Sequence, residues 1–238
     1  MFQNILSREA LYDALSQSEG FDSPEVAWGL GSEQSPAREV VKLWDPTVRV
    51  LVNAIEAKSP YTRGHSERVM ILATIMGREL GMDAQQLETL ARGSLLHDIG
   101  KIGIPDVILE KPGTLSEAEY TVIKMHPVIG DVMLANVPEM ASIRDIVRHH
   151  HEKLDGSGYP DQLAGEEVSR EARIVAVADI CDALLSNRSY RSSMNTQQAA
   201  EILRYEAAVG KLDPEVVEIL ANIFERVGRS KVEPAKVA

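Results

Sequence analysis

The sequence predicts an all-α fold. Three observations carry this. Apolar residues recur at intervals of three and four through most of the chain. No convincing stretch alternates apolar and polar residues as a strand would. Pro, Gly and capping residues stand between the periodic stretches as helix punctuation. Aromatic residues make up only 5% of a chain that is 44% hydrophobic, so aliphatic side chains must fill the core.

Residues 1–45 read as an N-terminal extension with no recognisable sensor domain. Leu6, Leu11, Ala14 and Leu15 suggest a short amphipathic helix, followed by loop signals at Asp22-Ser23-Pro24 and Gly29-Leu30-Gly31-Ser32. One helical domain is expected over 46–230. Its first helix runs from Pro46 to Lys58, with Val48, Leu51, Val52 and Ile55 on one side, and Ser59-Pro60 ends it. A second opens at His65 and carries Val69, Leu72, Ala73, Met76 and Leu80 before Gly81 closes it. A third spans Ala84 to Asp98. Ile104-Pro105 and Lys111-Pro112-Gly113 mark a loop. Ser116-x-x-Glu119 is a capping box for a helix running to His126. Pro127 opens the next, since its missing donor is not needed at a helix start. Glu139 to His151 reads as one helix ending in His149, His150 and His151. Asp155 to Gly165 is a Gly- and Pro-rich loop. Glu171 to Ser186 is an apolar helix with Asp179 and Asp182 set into it. Thr196–Tyr205 and Pro214–Val227 complete the helices, and residues 231–238 read as a disordered tail.

The net charge of −11 argues against a surface that coats DNA or RNA. A single Cys181 excludes a disulfide framework within the chain. The N-terminus lacks a basic start followed by an apolar signal core. The run Met70 to Met76 is too short to cross a membrane. These features point to a soluble cytoplasmic protein with no membrane partner.

The chemistry concentrates in His97-Asp98-Ile99-Gly100-Lys101, at the end of an apolar helical run. Near a helix end both His97 and Asp98 can reach one off-axis point, and imidazole with carboxylate suits a borderline divalent metal. The second carboxylate oxygen is free to bridge a second ion. Gly100 fits the left-handed position after a helix end. The six histidines, His65, His97, His126, His149, His150 and His151, all lie at or near a proposed helix terminus. Asp179 among apolar neighbours is costly to bury unless paired or bound to metal. Adjacent helical residues point about 100° apart. His150 and His151 should therefore diverge, towards two ions or one ion and one neighbour. His149 points further round and reads as a neighbouring or exposed residue. With His and carboxylate donors and no thiolate set, the site admits Fe, Mn, Zn, Ni or Co. Two such ions, with Asp98 and Asp179 cancelling part of their charge, would attract a phosphodiester and favour its hydrolysis. Lys101 could reach a phosphate oxygen or serve as a helix-end charge.

His97-Asp98-Ile99-Gly100-Lys101-Ile102-Gly103-Ile104-Pro105-Asp106, taken with His151-Glu152-Lys153-Leu154-Asp155-Gly156-Ser157-Gly158-Tyr159-Pro160, resembles the HD-GYP family of HD metal-dependent phosphohydrolases. Tyr61-Thr62-Arg63-Gly64-His65, Lys111-Pro112-Gly113-x-Leu115, His126-Pro127-x-x-Gly130 and Ala178-Asp179-x-x-Asp182-Ala183-Leu184 support the resemblance, which covers about Pro46 to Val227. It implies an all-α fold and a phosphodiesterase that converts cyclic di-GMP to pGpG or GMP. It implies two divalent ions, Fe or Mn first among the candidates, on His65, His97, Asp98, His126, His150, His151 and Asp179, with Asp98 bridging. It implies substrate contacts from Lys101, Arg188 and Arg191, with Tyr159 lining the site. It further implies that the Gly-Tyr-Pro loop contacts partner proteins.

Two departures matter. Tyr61 stands where some members carry the Glu that holds a third metal, so a two-metal site is expected and pGpG accumulates if fewer metals mean slower turnover. Ser189 replaces the frequent Pro between Arg188 and Tyr190, which loosens that turn. Cys181 reads as a packed small residue. Other cyclic dinucleotides such as cyclic GMP-AMP are the near alternative as substrate. From another class, the alternative is a low-turnover adaptor that binds nucleotide or a partner through the loop. The complete ligand set argues against the adaptor. An N-terminal amphipathic helix could also pair two chains as a homodimer.

Overall fold

A computed structural model describes residues 46–58, 64–186 and 193–230 of the protein. The extension at 1–45, Tyr61, the segment holding Arg188, Ser189 and Arg191, and the tail at 231–238 lie outside the described residues. Every regular element among those described is helical, and the only β-type contact is an isolated bridge between Asp155 and Ala164.

The elements are α1 (Pro46–Lys58), α2 (His65–Glu79), α3 (Ala84–Leu96), a 3-10 helix (Ile99–Gly103), α4 (Asp106–Leu109), α5 (Glu117–Ile123) and α6 (His126–Leu134). A second 3-10 helix (Pro138–Ile143) leads into α7 (Arg144–His149). A third (Gly165–Glu167) precedes α8 (Arg170–Leu185), α9 (Thr196–Ala208) and α10 (Pro214–Ser230). Helix α8 lies at the centre. It buries residues all round its circumference, from Ala172 and Ile174 to Cys181 and Leu184, as a helix without a wet face must. Helix α2 packs on both α3 and α8 and is itself buried from Val69 to Gly77. The core they share is aliphatic, including Leu72, Met76, Leu90, Leu95, Ile146 and Ile174. Cys181 is packed into it, and burial pushes its thiol well above the ordinary value.

Three helix starts are closed by reciprocal side-chain caps, of which Ser116 with Glu119 is the one expected. Asp83 and Gln86 form a capping box on α3, as Ser116 and Glu119 do on α5 and Asn195 and Gln198 on α9. Gly81 takes a φ of 74° after α2, in the left-handed region.

Four expectations require correction. The helix expected over Glu139–His151 divides into the 3-10 helix Pro138–Ile143 and the short α7. Buried Met140 and Ile143 are three apart, which matches the 3-10 repeat. The helix expected to reach Asp98 ends at Leu96, and the one expected to reach His126 ends at Ile123, so both ligand candidates fall at breaks in the backbone. Gly100 does not have positive φ. It sits inside the 3-10 helix, and its reason is close approach: a Cβ there would lie 1.8 Å from the His126 carbonyl oxygen and 2.5 Å from the Gly130 amide.

Candidate metal centre

The breaks between elements bring six side chains from distant positions together. His65 opens α2, His97 caps the end of α3, and Asp98 precedes the first 3-10 helix. His126 opens α6, while His150 and His151 follow the last residue of α7. Two groups of donor atoms result: His65, His97 and Asp98 in one, and Asp98, His126, His150 and His151 in the other.

Asp98 belongs to both groups, and its two oxygens face different ways. Oδ2 lies 3.4 Å from His97 Nε2 and 3.7 Å from His65 Nε2, whereas Oδ1 lies 3.3 Å from His126 Nε2. The residue is 1% exposed and Oδ1 receives no hydrogen bond. An orphaned carboxylate oxygen at that depth is costly in the absence of a cation. Burial alone would raise the Asp98 pKa, but the Lys101 ammonium and His97 outweigh it and hold the carboxyl well below its usual range.

The histidines are oriented from behind. Nδ1 of His97 donates to Ser94 O at 2.7 Å, Nδ1 of His126 to Ile123 O at 2.8 Å, and Nδ1 of His150 to Val147 O at 3.0 Å. A neutral ring that donates from Nδ1 has a bare lone pair on Nε2. Those lone pairs face each other: His65 and His97 Nε2 are 3.3 Å apart, as are those of His126 and His150. Opposed lone pairs repel unless a cation lies between them, so the donor set fits divalent metal ions. His150 and His151 suit the same use. Burial, then the neighbouring imidazoles, push both well below the ordinary imidazole value and keep them neutral. Around His97 burial also lowers the pKa, but the Asp98 carboxylate and then Asp179 more than reverse it.

His150 and His151 do not diverge as their adjacency suggested. The helix stops before them, the 100° rule no longer applies, and their rings sit 4.2 Å apart within one donor group. Asp179 approaches from α8, with Oδ1 3.4 Å from His65 Nε2, at the rim of the first group rather than inside it. Lys101 places Nζ 2.5 Å from Asp98 Oδ2. Tyr159 stacks on His151 with ring centroids 4.8 Å apart, and burial raises its phenol pKa. His149 points away from the pocket, to Asp145 at 2.7 Å and Asp161 at 3.0 Å.

Sequence reasoning gave no role to three residues that matter. Asp182 accepts from His65 Nδ1 at 2.7 Å and from Arg68 Nε at 2.6 Å, so a carboxylate and a guanidinium stand behind the first histidine. Its signal was the same as that of Asp179: a carboxylate in an apolar run, one helical turn on. Glu152 is 3% exposed, with Oε1 accepting from Asp161 N at 2.7 Å and Oε2 without a partner. Lys58 carried no signal beyond its place at a helix end.

Comparison with known proteins agrees with this geometry. The family described as "HD domain" matches residues 49–216. The chain is 39% identical over 184 residues to the 3'3'-cGAMP-specific phosphodiesterase 3 of Vibrio cholerae, covering 76% of this chain and 40% of that protein. It is 39% identical over 191 residues to the cyclic di-GMP phosphodiesterase response regulator RpfG of Xanthomonas campestris, covering 79% and 48%. It thus spans about half or less of the length of the curated relatives it matches. Its fold is similar to that of an HDG"Y"P protein from Bdellovibrio bacteriovorus, with a TM-score of 0.59 at 24% identity over 71% of this chain and 53% of that one. No helix among the described residues is long and apolar enough to cross a membrane.

Proposed function

The chain belongs to the HD domain family, and from that footing we propose that it is an HD-GYP-type, metal-dependent phosphodiesterase of cyclic dinucleotides. Cyclic di-GMP is the first substrate in this reading and 3'3'-cGAMP the second, since relatives named for each match at the same identity of 39%. The observation that carries the reading is the shared carboxylate: Asp98 turns one oxygen to each of two histidine groups whose bare nitrogens face inward.

His65, His97 and Asp98 would hold one ion, with Asp179 completing it. Asp98, His126, His150 and His151 would hold the other. Two divalent ions, when bound, supply Lewis acidity that activates water at neutral pH and offsets charge on the phosphoryl group. The protein's own residues set the stage. Asp182 fixes the ring of His65 and raises its donor strength. Lys101 keeps Asp98 ionised and offers a cation to a phosphate oxygen. Tyr159 walls the pocket against His151 and offers a face to a base. Arg188 and Arg191 are proposed to grip the phosphates, as planar cations suited to bidentate contact. Hydrolysis adds water across one P–O ester bond and opens the ring to a linear dinucleotide, pGpG from cyclic di-GMP, with GMP as the further product. Fe and Mn are the proposed ions.

The test is anaerobic purification, elemental analysis, and incubation of the same sample with cyclic di-GMP and 3'3'-cGAMP, followed by chromatography. Linear product from at least one is expected. Full metal content with no cleavage of any cyclic dinucleotide overturns the reading.

A further inference from the structure

The last turn of α1 reaches both segments that begin the pocket. Glu56 Oε1 accepts from the Gly64 amide at 2.8 Å, one residue before His65. Lys58 Nζ donates to Ile102 O at 2.5 Å and to Ile104 O at 2.6 Å, and lies 3.4 Å from Asp106 Oδ1. The ion pair with Asp106, whose side chain is 70% exposed, contributes little by itself. The two carbonyl contacts are different: a charged donor meets backbone acceptors at the end of a short helix that cannot satisfy them internally.

That short helix, Ile99–Gly103, follows Asp98 and carries Lys101. The Lys101 amide donates to Asp98 O at 2.9 Å, and the Ile104 amide donates to Lys101 O at 3.1 Å. A 3-10 turn has poor internal hydrogen-bond geometry and little rigidity of its own. Its start is held by the close contact of Gly100 with His126, and its far end by Lys58.

We propose that Lys58 is a positioning residue for this centre: by holding the carbonyls of Ile102 and Ile104 it sets the turn that aims Asp98 and Lys101 into the pocket. The catalytic part of this inference rests on the phosphodiesterase reading; the metal-binding part does not. Because Lys58 ends α1, a displacement of α1 along its axis is transmitted to Asp98 through two hydrogen bonds.

The test uses the full chain. Lys58→Met keeps the aliphatic stem and removes the donors, and Lys58→Arg keeps them. Arg173→Met is the comparison, since Arg173 donates to Val168 O at 2.8 Å and Gly165 O at 3.0 Å around another 3-10 helix that carries no pocket residue. Amide hydrogen exchange at Lys101 and Ile104 is read in the metal-free protein. Equilibrium affinity for Mn²⁺, and kcat and KM on cyclic di-GMP, are read separately. Lys58→Met is expected to speed exchange at both amides about tenfold and to lower Mn²⁺ affinity and kcat by about 10-fold, within the range for groups behind metal ligands, with KM little changed. Lys58→Arg is expected to restore most of each loss, and Arg173→Met to leave all of them unaltered. Unchanged exchange and Mn²⁺ affinity in Lys58→Met overturn the proposal, as do equal losses in Arg173→Met. If Lys58→Met does not fold, Lys58→Gln is measured against the same criteria. Failure of the unmodified protein to cleave any cyclic dinucleotide overturns the phosphodiesterase reading, while exchange and Mn²⁺ affinity still decide the role of Lys58.

Discussion

The two halves of the pocket share Asp98 but are supported differently. In the first half, His97 is backed by the Ser94 carbonyl but His65 by a charged pair, Asp182 with Arg68, and Asp179 stands alongside. In the second, His126 and His150 are backed by backbone carbonyls, and among the described residues no carboxylate other than Asp98 joins the group. A carboxylate behind an imidazole makes it a stronger donor than a carbonyl does. The first half therefore gathers more negative charge per ligand, and the second depends more on packing that holds neutral rings in place. What separates the halves is the charge behind His65, against carbonyls alone behind His126 and His150.

The largest effect should come from removing what the halves share. Asp98→Ala is expected to empty both sites and bring hydrolysis to background. Retention of one full metal equivalent would show that the halves are independent. Next is Gly100→Ala, which places a methyl group against the His126 carbonyl. Overpacking against backbone costs about 3 kcal/mol, and because His126 must move, the second half should lose metal before the first. Equal loss from both halves, measured by metal-specific spectroscopy, would contradict the division.

Asp182→Asn addresses the other side. It keeps the shape and removes the charge behind His65, so metal affinity in the first half should fall about 10- to 100-fold while the second half is preserved. Titration with Mn²⁺ resolves this as one weakened and one intact step. The smallest effect is on acid stability of the metal-free protein. His150 and His151 have folded pKa values below the ordinary 6.5, so as pH falls below that value the unfolded chain binds protons that the native pocket refuses. Stability conferred by their neutrality is present above pH 6.5 and is lost as pH falls from there towards their folded pKa values. The loss is offset in part by His97, whose pKa is raised. Thermal unfolding at pH 7.5 and 5.5 should show a lower Tm at the acid end, and equal values would count against buried neutral rings in the second half.

The second half is also where sequence reasoning ran short. The capping box at Ser116 and the apolar spacing from Val69 to Met76 are local signals, and the corresponding helices begin where expected. The pairing of Asp98 with its neighbours was legible because His97 and Asp98 are adjacent. The convergence of His150 with His151 was not, because it depends on α7 stopping at His149, and nothing local to that run of histidines announces a break. Gly100 was legible as special but for the wrong reason. A positive φ can be guessed from a helix end, whereas contact with a carbonyl that arrives from α6 is tertiary information. Asp182 lay in view, but its partner His65 is far away in sequence and only the fold joins them.

Gly158 packs its backbone onto that of Glu152 and Lys153, where a Cβ would fall 2.4 Å from both. The neighbouring Tyr159 amide donates to His151 O at 3.3 Å while its ring lies on the imidazole. The loop and the histidine are therefore joined by a backbone hydrogen bond and a ring stack. A displacement of that segment would reach the second half of the pocket at His151, with no relay through the rest of the bundle.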